Sequence, residues 1–243
     1  MPAERVLEKP AYTDMNLDNI QVFDPNQGYS VLWRKLPHWA QAGTICFITW
    51  RTNDSMPRKV VEKWIAERNA LLLREGLKVN DAGYAGICEA RRHWKQLVQR
   101  LAPQVQWKLQ CELTDQFESH LDACHGACLL RLRELAEIVG ESLMKFSGQR
   151  YELTDFVVMP NHVHILVAFR DEDEMIKQCS NWKRFTARKI NAAIGRRDEF
   201  WQEDAFDHLV RSPDHFDHYR KYIADNGPRA KLPPTDYLAY SRA

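Results

Sequence analysis

The sequence predicts an α+β fold, a single domain with a mainly antiparallel central sheet flanked by helices. Two observations carry this. Runs dense in β-branched and aromatic residues lie at 44–51 and 151–169. Segments with apolar residues at helical spacing alternate irregularly with them.

Residues 1–40, interrupted by Pro10, Pro25 and Pro37, read as an irregular extension that wraps the core. Thr44 to Arg51 (TICFITWR) reads as a strand. Ser55 is expected to cap the following helix, with Pro57 near its first turn. That helix is expected over about 58–74, with Val61, Trp64, Ile65, Leu71 and Leu72 apolar, stopping before Gly76. Residues 77–122 carry a weaker pattern. Within them Trp94, Leu97, Val98 and Leu101 predict a short amphipathic helix, which Pro103 ends. A further helix is predicted over about 126–146, from Leu129, Leu132, Leu135, Ala136, Val139 and Leu143.

Tyr151 to Phe169 is the strongest β signal, two strands about a turn at Met159-Pro160-Asn161. Asp171 to Glu174 then open a long helix to about Ile194, acidic in its first turn and basic beyond, as the helix dipole favours. Ser212 and Pro213 have the character of an N-cap and first helical position. The helix they begin is expected to reach about Asn226, where Gly227-Pro228 stop it.

Composition excludes little. Apolar residues are 44% and charged residues 28% of the 243, as in ordinary globular proteins. Lys plus Arg number 34 against 33 for Asp plus Glu, so any polyanion-binding signal must be local. No apolar run nears the roughly 18 residues of a membrane span. Residues 1–19 show no secretory pattern, so the expected compartment is the cytoplasm. The six cysteines are scattered; Cys124 and Cys128 lack a second pair that would complete a zinc site.

Two constellations carry chemistry. His162-Val163-His164 begins a strand, so both imidazoles project from one face while Val163, Ile165 and Val167 occupy the other. Two imidazoles on a rigid strand are placed to share a metal ion. Taken alone, such a pair is more often two satisfied polar histidines near a sheet edge. On the last helix Phe216, Tyr219 and Ile223 form the core stripe, and His218, Tyr222 and Asn226 a polar row beside it. A tyrosine hydroxyl can attack phosphorus when a cation activates the phosphate. Spacing alone favours two packing tyrosines.

The combination is more specific. Val158-Met159-Pro160-Asn161-His162-Val163-His164-Ile165-Leu166 resembles the His–hydrophobic–His motif of the single-tyrosine (HUH-type) transposases. Trp182, Phe185, Thr186 and Ile190, then Phe200-Trp201-Gln202, Asp207-His208-Leu209-Val210-Arg211 and Tyr222-Ile223-Ala224-Asp225-Asn226 follow in that family's order. The chain is most similar to its branch associated with repetitive extragenic palindromes in bacterial genomes. The resemblance covers residues 149–232 and the strand at 44–52. It departs where Gly227 separates Asn226 from Pro228; the family usually has Pro directly after Asn.

The resemblance implies a ferredoxin- or RRM-like core, with residues 41–243 as the catalytic domain and 77–121 as a helical insertion. It implies that His162, His164 and Asn226 hold a divalent ion, Mg2+ or Mn2+. Tyr222 then cleaves and rejoins single-stranded or hairpin DNA through a 5′-phosphotyrosine link. The protein is expected to be a monomer or homodimer acting at the bacterial nucleoid.

Independently, residues 176–197 hold Lys177, Lys183, Arg184, Arg188, Lys189, Arg196 and Arg197 without an acid, interleaved with Trp182 and Phe185. With Arg211 these basic residues and Trp182 are the expected DNA contacts, cations to phosphates and the indole to an unpaired base. Two other functions fit the residues: a hairpin-binding protein without cleavage, and a metal-dependent phosphodiesterase without a covalent intermediate.

Overall fold

The computed structural model describes residues 21–24, 26–28, 30–33, 37–78, 97–203 and 205–242. Strands β1 (Ser30–Trp33) and β2 (Pro37–Ala40) form a small antiparallel ribbon. Then follow β3 (Ile45–Arg51), α1 (Arg58–Arg74), α2 (Pro103–Asp122), α3 (Arg133–Met144), β4 (Tyr151–Val158) and β5 (His162–Phe169). The chain ends with α4 (Glu172–Ile194), β6 (Phe206–Leu209), α5 (Pro213–Arg229) and β7 (Leu238–Ser241).

The main sheet has five strands in the order β6-β3-β5-β4-β7, with every neighbouring pair antiparallel. The expected α+β class, a mainly antiparallel sheet flanked by helices, is therefore observed. Strand β5 lies in the middle, and both it and β4 are buried along their whole length. This fits the apolar stretches Phe156 to Pro160 and Ile165 to Phe169: the sheet is covered on both faces.

Side-chain alternation divides the core into two layers. Cys46, Ile48 and Trp50 of β3 and Val163, Ile165 and Val167 of β5 face α3 and α4, which contribute Leu135, Val139, Leu143, Trp182 and Ile190. On the other face Ile45, Phe47, Val157 and Leu166 meet Ile223 of α5, with Phe216, Tyr219 and Tyr222 packed alongside.

Several boundaries differ from expectation. Ser55 does not cap α1; its hydroxyl donates to the Thr52 carbonyl, and Pro57 holds the N-cap position without a side-chain bond. Pro103 opens a 20-residue helix, α2, because a proline at the first helical position removes an N–H that had no partner there. The short helix expected around Trp94 lies mostly outside the described residues. Helix α3 starts later than predicted: Cys124, Gly126 and Cys128 have positive φ, and a 3-10 turn at Leu129–Arg131 comes first. Helix α5 runs through Gly227-Pro228 to Arg229. Pro228 costs only one hydrogen bond in a final turn, and Gly227 leaves room for the Tyr237 ring, which an added Cβ would strike.

Candidate active site

His162 and His164 project from the α5-facing side of β5, their ring centroids 4.6 Å apart. Both are fully buried. Each ring is oriented through Nδ1. His164 lies directly opposite Thr49 on β3, and its Nδ1 is 2.7 Å from the Thr49 hydroxyl oxygen. His162 Nδ1 is 2.8 Å from Asn161 Oδ1. The Asn161 amide is itself fixed, because its Nδ2 donates to the His125 carbonyl. Its Oδ1 can only accept, so His162 Nδ1 carries the proton and Nε2 presents a lone pair. Such outer partners orient a metal-binding imidazole and set its tautomer.

The outward atoms converge on unsatisfied chemistry. His162 Nε2, His164 Nε2, Asp122 Oδ1 and both amide atoms of Asn226 are buried without a hydrogen-bonding partner. Buried polar atoms left in this state are rare and costly. The Asn226 amide lies against His162 and favours its charged form, at a geometry short of a full hydrogen bond. Burial outweighs this and pulls the His162 pKa down to about 3. His164 is also held well below the usual value, first by burial and then by His162 and Arg229. Two neutral imidazoles and an amide oxygen are a suitable donor set for a divalent cation.

Helix α2 adds two acids. Glu118 Oε2 stands 3.4 Å from His164 Nε2, and Asp122 Oδ1 stands 3.9 Å from His162 Nε2. Glu118, His162 and His164 offer ligand atoms that all lie within 4.8 Å of one another. Burial raises the Asp122 pKa to about 6, against the opposing charge of Arg229.

Helix α5 brings the tyrosines. Ser212 caps it by accepting from the His215 N–H. Tyr219 stacks on Phe47 with centroids 4.2 Å apart, within the core. Tyr222 turns its ring edge to His164 at 5.3 Å, and its hydroxyl donates to Glu118 Oε2 at 3.2 Å. Burial, then the neighbouring Glu118 and Asp122, push the Tyr222 hydroxyl far above the ordinary phenol range. Asn226, one turn further on, is buried, whereas His218 of the same row is exposed.

The structure thus brings His162, His164, Tyr222 and Asn226 together, but it separates them from the basic helix. Helix α4 packs on the opposite face of the sheet. Its Lys177, Arg184, Arg188 and Lys189 are exposed, as are Arg196 and Arg197 just past its end and Arg211 before α5. Lys183 donates to the carbonyls of Gln202 and Glu203. Trp182 is the correction: only 2% exposed, it donates to the Ser142 carbonyl and packs between Trp50 and Tyr151. A ring so enclosed offers no face to a base.

Sequence reading missed Thr49, Asn161, Glu118, Asp122 and Arg229. Asn161 was visible beside the histidines. The two acids were hidden with helix α2, although Leu109, Leu113, Phe117 and Leu121 repeat every four residues there, a helical signal. Thr49 and Arg229 reach the site through strand register and helix extension, which carry no local signature.

The fold and the site define a class: an antiparallel α+β domain that holds a His-x-His pair and a helical tyrosine on one face of its sheet. Residues 131–226 match the family described as transposase, IS200-like. The matched segment runs from before β4 to Asn226, so it contains both histidines and Tyr222. The resemblance read from the sequence therefore holds there. No curated protein matches the chain. One similar solved structure is a REP-associated tyrosine transposase bound to a REP hairpin, with 14% identity, a TM-score of 0.38, and coverage of 87% of this chain and 93% of that one.

Proposed function

We propose that the chain is a metal-dependent single-tyrosine enzyme that cleaves and rejoins single-stranded DNA, with hairpin-forming repeats as its substrates. The observation that carries this reading is the convergence of Tyr222 and the two imidazoles on one buried point, with Asn226 one helical turn away. His162, His164 and Asn226 would hold a divalent ion through buried donor atoms that have no other hydrogen-bonding partner. The bound ion would supply charge stabilisation at a non-bridging phosphate oxygen.

The chain's own residues do the rest. Tyr222 Oη attacks phosphorus in line, forming the Oη–P bond as the bond from phosphorus to the 3′-oxygen breaks. The phenol proton is lost and the 3′-oxygen gains one, leaving a 5′-phosphotyrosine and a free 3′-hydroxyl. Attack by another 3′-hydroxyl reverses the step and rejoins strands. Thr49 and Asn161 keep the imidazole Nε2 atoms aimed at the site. The exposed cations of α4 and Arg211 would hold flanking phosphates, which requires DNA to pass round the sheet edge.

The extent of the catalytic domain, residues 41–243 with an insertion at 77–121 and an extension at 1–40, is part of the same proposal. The test is denaturing electrophoresis after incubation with labelled single-stranded hairpin DNA and Mn2+ or Mg2+. A protein-linked label that requires the ion and disappears in Tyr222→Phe is the expected result. Phosphodiester hydrolysis without a linked label would favour the hydrolase reading, and binding without cleavage the binding-protein reading.

A further inference from the structure

We infer that helix α2 is a lid over the tyrosine, with the Glu118 side chain standing where the scissile phosphate must come. This rests on the reading of Tyr222 as the nucleophile. A phosphate under attack must lie about 3–3.5 Å from the attacking oxygen. It must also reach the imidazole edges. The space that meets both conditions holds Glu118, 3.2 Å from the Tyr222 hydroxyl and 3.4 Å from His164 Nε2. With both histidines fully buried, a DNA strand has no route to the site while α2 is seated.

The packing of α2 suits removal. Its apolar side chains join α1 in two small clusters of their own: Leu109 and Leu113 with Leu72 and Val98, and Phe117 and Leu121 with Met56 and Trp64. A His120–Glu67 hydrogen bond and an Arg74–Glu112 ion pair also bind α2 to α1. Toward the catalytic face α2 turns Glu118 and Asp122, one helical turn apart. The contacts of these two acids across the seam are polar, Glu118 to Tyr222 and His164 and Asp122 to His162.

The seam also has the chemistry of the substrate. Both acids present carboxyl oxygens where the DNA would present phosphate oxygens. Arg229 lies 4.9 Å from the Tyr222 ring centroid and 3.9 Å from Asp122 Oδ2. When Asp122 leaves, this guanidinium is free to take a phosphate in its place. Lid and DNA therefore compete for the same tyrosine, imidazole edge and arginine. The α1–α2 unit is displaced as the strand enters, an order of events found in other switching proteins.

The test is amide hydrogen exchange on the full chain, with and without a single-stranded hairpin DNA, in the Tyr222→Phe background that cannot cleave. Residues 103–122 are expected to exchange faster when DNA is added, while β4 and β5 stay protected. In parallel, Glu118→Ala with Tyr222 intact is expected to form the covalent adduct faster, by about tenfold, the factor set by loss of one strong hydrogen bond. Its Mn2+ binding, measured by calorimetry, should persist through His162, His164 and Asn226. Unchanged or greater protection of 103–122 in the presence of DNA overturns the lid. So does a Glu118→Ala protein that loses both Mn2+ binding and adduct, which makes Glu118 an indispensable ligand. If wild-type protein forms no adduct, the nucleophile reading fails separately, and the exchange result still decides whether α2 moves.

Discussion

Asn161 Oδ1 lies 2.8 Å from His162 Nδ1, and the same amide donates through Nδ2 to the His125 carbonyl. One asparagine thus links the loop before α3 to a histidine on the middle strand and determines which nitrogen of that ring is free. This fixed tautomer is what permits a cation at Nε2.

Asn161→Ala should therefore weaken Mn2+ binding by about 10–100-fold, the usual cost of removing an outer partner of a metal-binding histidine. His162→Ala should reduce it further and abolish adduct formation. Hairpin DNA affinity, measured without metal, should be nearly unchanged in both. Calorimetric titration with Mn2+ checks this, and equal metal affinity in wild type and His162→Ala would contradict it.

The metal-free protein should lose stability in mild acid. Burial lowers the pKa of both histidines in the folded state, that of His162 to about 3. The unfolded chain therefore takes up protons first as pH falls below about 6.5, at a cost of about 1.4 kcal/mol per pH unit for each histidine. Asp122 acts in the opposite sense: with its pKa raised to about 6, it contributes stability below about 3.8 that is lost as pH rises through 6. Two histidines outweigh one aspartate, so net stability should fall between pH 6.5 and 4. Urea unfolding across this range checks it. His162→Gln/His164→Gln should flatten the decline, and a wild-type curve already flat would count against neutral buried rings.

Trp182 and the cations of α4 should behave differently, although they are interleaved in sequence. Trp182→Ala should destabilise the fold by about 3–5 kcal/mol, as expected for a large buried aromatic. Arg184→Glu/Arg188→Glu should leave the melting temperature nearly unchanged, weaken DNA binding, and flatten its dependence on salt. Fluorescence anisotropy at several salt concentrations measures this. An unaltered salt slope would mean that α4 does not face the DNA.

The sequence revealed most where burial and chemistry leave a local pattern. Strands β4 and β5, the turn between them and the His-x-His pair stand out because both sheet faces are covered and period-two alternation places the imidazoles on one side. The Ser212 cap and the Tyr219–Tyr222 division follow from helical periodicity. What stayed hidden depends on distant pairing. Thr49 meets His164 only through the β3–β5 register, and Arg229 reaches Tyr222 only because α5 continues through Pro228. The side on which Trp182 lies has no local mark, because an aromatic among cations has the same pattern whether it faces solvent or the core. Glu118 and Asp122 depend on a helix that Pro103 opens, and a proline marks the end of one helix and the start of another with the same residue.

In the proposed reaction Tyr222, and not its neighbour Tyr219, bonds to DNA. Both lie on α5, three residues apart, and burial raises both phenol pKa values. Only Tyr222 directs its hydroxyl to the Glu118 and His164 side of the site, while Tyr219 stacks on Phe47. Peptide mapping by mass spectrometry of the adduct formed with single-stranded hairpin DNA and Mn2+ tests this most directly. The predicted result is a nucleotide mass on Tyr222, no adduct from Tyr222→Phe, and most of the adduct retained in Tyr219→Phe. A nucleotide on Tyr219 with Tyr222 unmodified would contradict the claim.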